Sequence, residues 1–228
     1  MAGEPDQLQE IARRALDFVA DGNAVGLGSG RAATAFIRAL GARVEQGLTV
    51  RGVPTSLESE RLARELRIPL TTLDEISELD VDIDGADEID PQLGAIKGYG
   101  GALLREKIVA RASKVLVLLV GDEKLVDKLG SRGKLPLEVV PFGMAATMRH
   151  LERLGLKPQP RIKDGRPFVS DNGNPILDCG IRPIDNPHQL NQAIREIPGV
   201  VETGLFLGMV DAVLVQRESQ VELLERPV

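Results

Sequence analysis

Residues 24–40 read AVGLGSGRAATAFIRAL, and their pattern decides the fold. Ala24, Val25 and Leu27 make a short apolar run that passes into a glycine turn at Gly28 and Gly30. From Arg31 onward Phe36, Ile37, Leu40 and Val44 recur at helical spacing, so the stretch reads strand, tight turn, helix. Upstream, Leu8, Ile11, Ala12, Ala15 and Val19 predict an amphipathic helix over 6–20. Downstream, the pattern predicts strands over 48–53, 68–73 and 81–84, and helices over 58–66 and 102–112, the first of these with Ser56 as its cap. Residues 114–121 form the continuous apolar run of a strand covered on both faces. Strands alternating with helices through the first 130 residues or so predict an α/β fold with a Rossmann-like, doubly wound parallel sheet.

After Gly130 the texture changes. Strands near 135–141, 157–162, 166–170, 175–179 and 200–205, with helices over 144–154 and 187–196, give the order β-α-β-β-α-β around a middle hairpin. That order predicts a second, smaller, ferredoxin-like α+β domain. The expected boundaries are 132–205 for the small domain and 1–131 plus 206–228 for the large one, with Asp211–Val215 returning as a strand to the first sheet.

Composition excludes several function classes. Of 228 residues 43% are hydrophobic and 27% charged, an ordinary globular balance. The net charge of −6 and the scarcity of aromatics (five Phe, one Tyr, no Trp) argue against a nucleic-acid partner. The longest aliphatic run, Val115–Val120, is far too short to span a bilayer. The acidic N-terminus lacks the basic and apolar regions of a signal peptide, which points to a cytoplasmic protein. One cysteine, Cys179, and two distant histidines, His150 and His188, leave no metal cluster to expect.

Three stretches can carry chemistry. The turn Gly26-Leu-Gly-Ser-Gly-Arg-Ala sits between a strand and a helix, where backbone N–H groups favour an anion. It lacks the third glycine of the dinucleotide fingerprint, where Arg31 stands, and the Gly-Lys-Ser/Thr of a Walker loop. A turn with no ligand remains the alternative. Asp82-Ile-Asp-Gly-Ala-Asp-Glu-Ile-Asp places five carboxylates in nine residues at the end of a strand. In an open α/β sheet the ligand crevice lies there, and Gly85 permits the bend that aims Asp84 and Asp87 into one site. A solvated acidic loop is the alternative. Lys97-Gly-Tyr-Gly-Gly-Ala-Leu-Leu-Arg-Glu-Lys follows, with Glu106 inside the helix. Lysine, aspartates and a glutamate near a phosphate-sized glycine loop suit acid–base chemistry on a polar substrate.

These blocks, with Val53-Pro-Thr-Ser and Pro198-Gly-Val-Val-Glu-Thr-Gly-Leu-Phe, resemble type A ribose-5-phosphate isomerase in order over about 7–215. The resemblance implies a cofactor-free aldose–ketose isomerase of the non-oxidative pentose phosphate pathway, acting on D-ribose 5-phosphate and D-ribulose 5-phosphate through an enediolate, as a homodimer or larger homo-oligomer. It further implies that Glu106 is the general base and that Asp84 assists ring opening and hydroxyl proton transfer. Asp87 and Lys97 would hold hydroxyls and stabilise negative charge. Substrate contacts are implied for Ser29, Gly30, Arg31, Ala32, Gly85, Ala86, Gly98, Tyr99, Gly100 and Lys124. The family loop usually reads Gly-Thr-Gly-Ser-Thr, whereas Arg31-Ala32 stand in the last two places here, and Leu8-Gln9 replace a lysine common in the first helix. An Arg31 guanidinium offers both the missing charge and paired donors. Two other readings compete: a non-catalytic sugar-phosphate-binding module, and an amino-sugar-phosphate isomerase or CoA transferase of the same fold.

Overall fold

The computed structural model describes residues 4–218 and 220–226. The chain divides into two compact units, one built from residues up to Ala86, Arg105–Lys124 and Met209 onward, the other from Asp87–Leu104 and Leu125–Gly208.

In the first unit a six-stranded sheet runs in the order Gln220–Glu225, Ala212–Arg217, Leu116–Gly121, Val81–Gly85, Ala24–Leu27, Arg51–Pro54. Every neighbouring pair is parallel except the two C-terminal strands, which form an antiparallel hairpin. The tail therefore returns to the first sheet, as its apolar pattern predicts. Helices α1 (Glu4–Ala15), α2 (Arg31–Glu45), α3 (Leu57–Glu65) and α4 (Leu103–Arg111) alternate with the strands. Alternation within each strand assigns the faces. Val25, Leu27, Val81, Ile83, Val117 and Leu119 pack with Ile11, Ala12 and Ala15 of α1 and with Phe36, Ile37 and Leu40 of α2. On the opposite face Ala24 packs with Val53, Leu79 and Val109 of α4. From the Ala24–Leu27 strand the chain moves to one side for Arg51–Pro54 and then crosses to the other for Val81–Gly85. The order thus reverses between Ala24–Leu27 and Val81–Gly85, and the carboxyl ends of these two strands frame the crevice of a doubly wound sheet.

The second unit holds a four-stranded antiparallel sheet in the order Val200–Thr203, Lys134–Val139, Ile176–Gly180, Lys157–Pro160. Helix α5 (Met144–Arg153) connects Lys134–Val139 to Lys157–Pro160 and α6 (Pro187–Arg195) connects Ile176–Gly180 to Val200–Thr203, which is the ferredoxin-like arrangement. Leu135, Leu137, Leu177 and Cys179 pack with Leu151 and Ile194 from the two helices. His150 on α5 and His188 on α6 are both exposed.

Several expected elements differ. The strand expected over 68–73 is reduced to a single bridge, Gly52 to Leu70, because Pro69 has no N–H and Arg67 stands in the left-handed region at φ 56°. The strand expected over 166–170 shrinks to Arg166–Pro167 and an isolated bridge, Val169 to Pro175. It folds back on Ile162–Lys163 over the tight turn Asp164-Gly165, both residues at positive φ, so the hairpin stands apart from the four-stranded sheet. The first helix ends at Ala15 and continues only as a short 3-10 turn, Leu16–Phe18. Sequence periodicity also passes over a small three-stranded sheet of Glu88–Ile89, Ala95–Ile96 and Leu205–Phe206, whose two-residue strands are too short to show a pattern.

Cys179 lies fully buried in the small sheet, and burial pushes its thiol up to about 12. A thiol this far from the thiolate is inert. At pH 8 a disulfide reagent is expected to leave the folded protein unlabelled and to modify one thiol per chain in urea; rapid labelling of the folded protein would contradict this packing.

Candidate active site

In the first unit the expected residues gather at the carboxyl edge of the parallel strands. Asp84 is the penultimate residue of Val81–Gly85 and is fully buried. Its Oδ1 accepts hydrogen bonds from the Ser29 N–H at 2.9 Å and from the Gly85 N–H at 2.7 Å. The approach depends on glycine. A Cβ on Gly28 would lie 2.4 Å from the Asp84 Cγ and 2.5 Å from its Cα. Gly30 follows at φ 90°, a backbone conformation that side chains rarely adopt, and caps α2 without a side chain. First-turn N–H groups have no acceptor within their own helix, so the start of α2 favours an anion. Ser29 Oγ joins Thr55 Oγ1 at 2.9 Å and Ser56 Oγ at 2.7 Å. Ser56 also caps α3 through a reciprocal box with Ser59. Thr55, unremarked beyond its place in Val53-Pro-Thr-Ser, thus supports the loop. Its signal in the sequence is only a hydroxyl pair just past a strand end.

Glu106 stands in the first turns of α4 and is 5% exposed. Its place over the sheet follows from a neighbour. A Cβ on Gly26 would meet both Asp82 and Val109 at 2.8 Å or closer, so Val109 overlies the Asp82 level of the sheet. Glu106 lies one helical turn nearer the N-terminus of α4, and Asp84 two residues nearer the carboxyl edge than Asp82. Three helical residues rise about 4.5 Å and two strand residues about 6.6 Å, so Glu106 and Asp84 lie on one face toward the same edge of the sheet. Arg31 is exposed and Ala32 half-buried in the first turn of α2, Gly85 and Ala86 are half-buried past Asp84, and Lys124 is half-buried in the turn Asp122–Lys124 after the Leu116–Gly121 strand.

The second unit holds the remaining expected residues as a second group. Asp87 Oδ2 accepts from the Tyr99 N–H at 2.9 Å, which ties Asp87 to the turn that follows Lys97. Lys97 is 3% exposed; its N–H donates to the Gly204 carbonyl, and its Nζ lies 5.4 Å from the centre of the Phe206 ring. Gly98 and Gly101 both have positive φ, and a Cβ on Gly98 would press on Leu103 at 2.8 Å. Tyr99 is half-buried and Gly100 exposed. Burial, with the nearby Glu88 and Asp87 carboxylates, pushes the Tyr99 phenol well above its usual value, so it stays protonated. Two members of the acidic stretch are structural. Glu88 takes the N–H groups of Gly130 and Arg132, and burial raises its carboxyl, while Asp90 accepts from Gln92 and Gly94 in a local turn. Among the described residues no group of three or more His, Cys, Asp or Glu could hold a metal ion.

Residues 51–220 match the family model described as ribose 5-phosphate isomerase A (phosphoriboisomerase A). A protein named ribose-5-phosphate isomerase A from Gloeobacter violaceus is 52% identical over 217 residues, 95% of this chain and 94% of its own. One from Roseiflexus castenholzii is 50% identical over 96% of this chain and 95% of its own. Among solved structures, ribose 5-phosphate isomerase A from Methanocaldococcus jannaschii matches with a TM-score of 0.93 at 41% identity, over 98% of this chain and 100% of that one. A D-ribose-5-phosphate isomerase in complex with phospho-erythronic acid matches at 0.95 and 37% identity, over 99% and 100%.

The Gly28–Asp84 approach makes a direct prediction. Gly28→Ala is expected to lose about 2 kcal/mol or more in urea unfolding, as overpacking at backbone contact does. Gly100→Ala, with nothing within 4 Å of its added Cβ, is expected to stay within about 0.5 kcal/mol of wild type. Equal stabilities for the two variants would contradict the packing.

Proposed function

This chain belongs to the ribose 5-phosphate isomerase A family, and we propose that Glu106 is the base of its aldose–ketose isomerisation of ribose 5-phosphate and ribulose 5-phosphate. What supports this assignment is the burial of two carboxylates, Asp84 at the carboxyl end of a strand at the switch point and Glu106 in the first turns of the helix that covers the same face. Isomerisation requires a base that takes the proton from C2 of the open-chain aldose and returns one to C1. A positioned carboxylate shielded from water does this, provided that donors meet the oxygen on which charge develops. Asp84 is held by two N–H groups at the end of its strand, which suits transfer of the hydroxyl protons and opening of the ring. Asp87 and Lys97 are proposed to hold hydroxyls and to stabilise the enediolate charge, and Gly85, Ala86, Gly98, Tyr99 and Gly100 to contact the substrate. The phosphate is proposed to sit at Ser29, Gly30, Arg31 and Ala32, with Lys124 as a further cation. The ligand named for one relative fits this proposal, since a phosphorylated four-carbon acid carries a phosphate at one end and a planar carboxylate, shaped like an enediolate, at the other. A homodimer or larger homo-oligomer in the cytoplasm is proposed with it; the single cysteine fits a reducing compartment.

Glu106→Gln keeps shape but cannot accept the proton. In a coupled assay with ribose 5-phosphate and EDTA, kcat is expected to fall by about 10²–10⁴-fold, with wild type active throughout. More than a tenth of wild-type turnover in Glu106→Gln would overturn the base, and a wild type silenced by EDTA would overturn metal-free chemistry. Arg31→Ala tests the phosphate grip. KM is expected to rise about ten- to a hundredfold, inhibition by inorganic phosphate to weaken in parallel, and Arg31→Lys to recover part of both. Unchanged KM and phosphate inhibition would leave the phosphate to Lys124 and the loop N–H groups.

A further inference from the structure

In the second unit one buried guanidinium holds the turn that follows Lys97. Arg161, just past the Lys157–Pro160 strand, has a side chain only 9% exposed. Its Nη1 donates to the carbonyl oxygens of Gly98 and Tyr99, each at 3.0 Å. Its Nε and Nη2 donate to the two carboxylate oxygens of Asp178 at 3.0 and 2.5 Å. The guanidinium carbon lies 5.5 Å from the centre of the Phe168 ring, and a Cβ on Gly101 would stand 2.4 Å from the same ring. Lys134 closes the other side, with its Nζ 3.9 Å from the centre of the Tyr99 ring and 3.8 Å from Asp178.

This is more than a salt bridge. A carboxylate alone is satisfied by a lysine or an arginine, but a planar fork that takes a carboxylate on one edge and two carbonyls on another fixes their relative orientation. The two carbonyls belong to the turn that begins at Lys97, and that same turn presents the Tyr99 N–H to Asp87. We propose that Arg161, oriented by Asp178, is a positioning residue for the isomerisation, setting the 98–101 turn and through it the placement of Lys97 and Asp87. The proposal rests on the roles given above to Lys97 and Asp87. Stabilising the enediolate charge is a role in the transition state, so displacement of the turn lowers kcat, and the ground-state contacts that Lys97, Asp87 and the turn make with substrate raise KM by a smaller factor.

The test uses Arg161→Met, which keeps an unbranched apolar stem but removes every donor, together with Arg161→Lys and Asp178→Asn. With ribose 5-phosphate, Arg161→Met is expected to lower kcat about 30- to 100-fold, with any rise in KM about tenfold or less, the loss that a displaced catalytic group produces. Arg161→Lys is expected to recover part of kcat, and Asp178→Asn to lower it about tenfold, with the far-ultraviolet circular dichroism of each folded variant unchanged. Should Arg161→Met fail to fold, Asp178→Asn carries the test. Wild-type kcat in a folded variant, or a rise in KM alone, would overturn the positioning role. A wild type that does not turn over ribose 5-phosphate would overturn the functional reading instead.

Discussion

Everything at the carboxyl edge of the large sheet depends on one close approach, the backbone of Gly28 against the side chain of Asp84. A buried ionised carboxylate carries an effective penalty of several kcal/mol unless hydrogen bonds satisfy it. Two N–H groups, from Ser29 and Gly85, meet Oδ1, and hydrogen bonds of this charge-assisted kind contribute about 1.5–3 kcal/mol each. The Ser29 N–H reaches that oxygen only because residue 28 has no side chain. Once the loop is held there, Gly30 turns it into α2, and Ser29 ties it through Thr55 and Ser56 to α3. A single constraint therefore sets the Asp84 carboxylate and the start of the glycine loop together.

The second unit repeats the principle with other partners. Asp87 takes the Tyr99 N–H, Glu88 the N–H groups of Gly130 and Arg132, and Arg161 gives two of its donors to carbonyls. In each case a charged side chain is bound to main chain, whose position is set by the fold, and Arg161 is in addition oriented by the Asp178 carboxylate. Such contacts pre-organise a site, because no rotamer of a partner has to be ordered when charge develops. The Ser170, Asn172 and Asn174 side chains around buried Glu138 hold the neighbouring 170–174 turn to the small sheet in a different way, through side-chain donors, and lie outside the proposed chemistry.

Much of this was legible in the sequence, and the physical reason differs by element. The parallel strands announce themselves because burial on both faces demands unbroken apolar runs, as in Leu116–Val120. Asp84 stands out because Asp82 and Asp84 alternate with Val81 and Ile83 at the carboxyl end of a short strand, where a carboxylate has no packing purpose. The 68–73 stretch misleads, since its apolar residues are real core contacts made without strand pairing; Ile68 is 3% exposed although Pro69 limits the ladder to one bridge. Gly28 reads as a turn glycine, but its true constraint is the distance to Asp84, 56 residues on, which no local pattern carries. Arg161 is invisible for the same reason. It sits in a polar, proline-flanked stretch, and only the fold brings it to Gly98 and Tyr99.

Proton transfer by a carboxylate through an enediolate is the central claim, and the fate of the substrate C2 hydrogen tests it most directly. Ribose 5-phosphate is converted in D2O, and deuterium at C1 of the ribulose 5-phosphate formed is followed by NMR at early conversion. Exchange of a carboxylate-bound proton with solvent predicts deuterium at C1 in the first product formed. A product whose new C1 hydrogen comes wholly from C2 at every time point, as a direct hydride shift would give, would contradict the account.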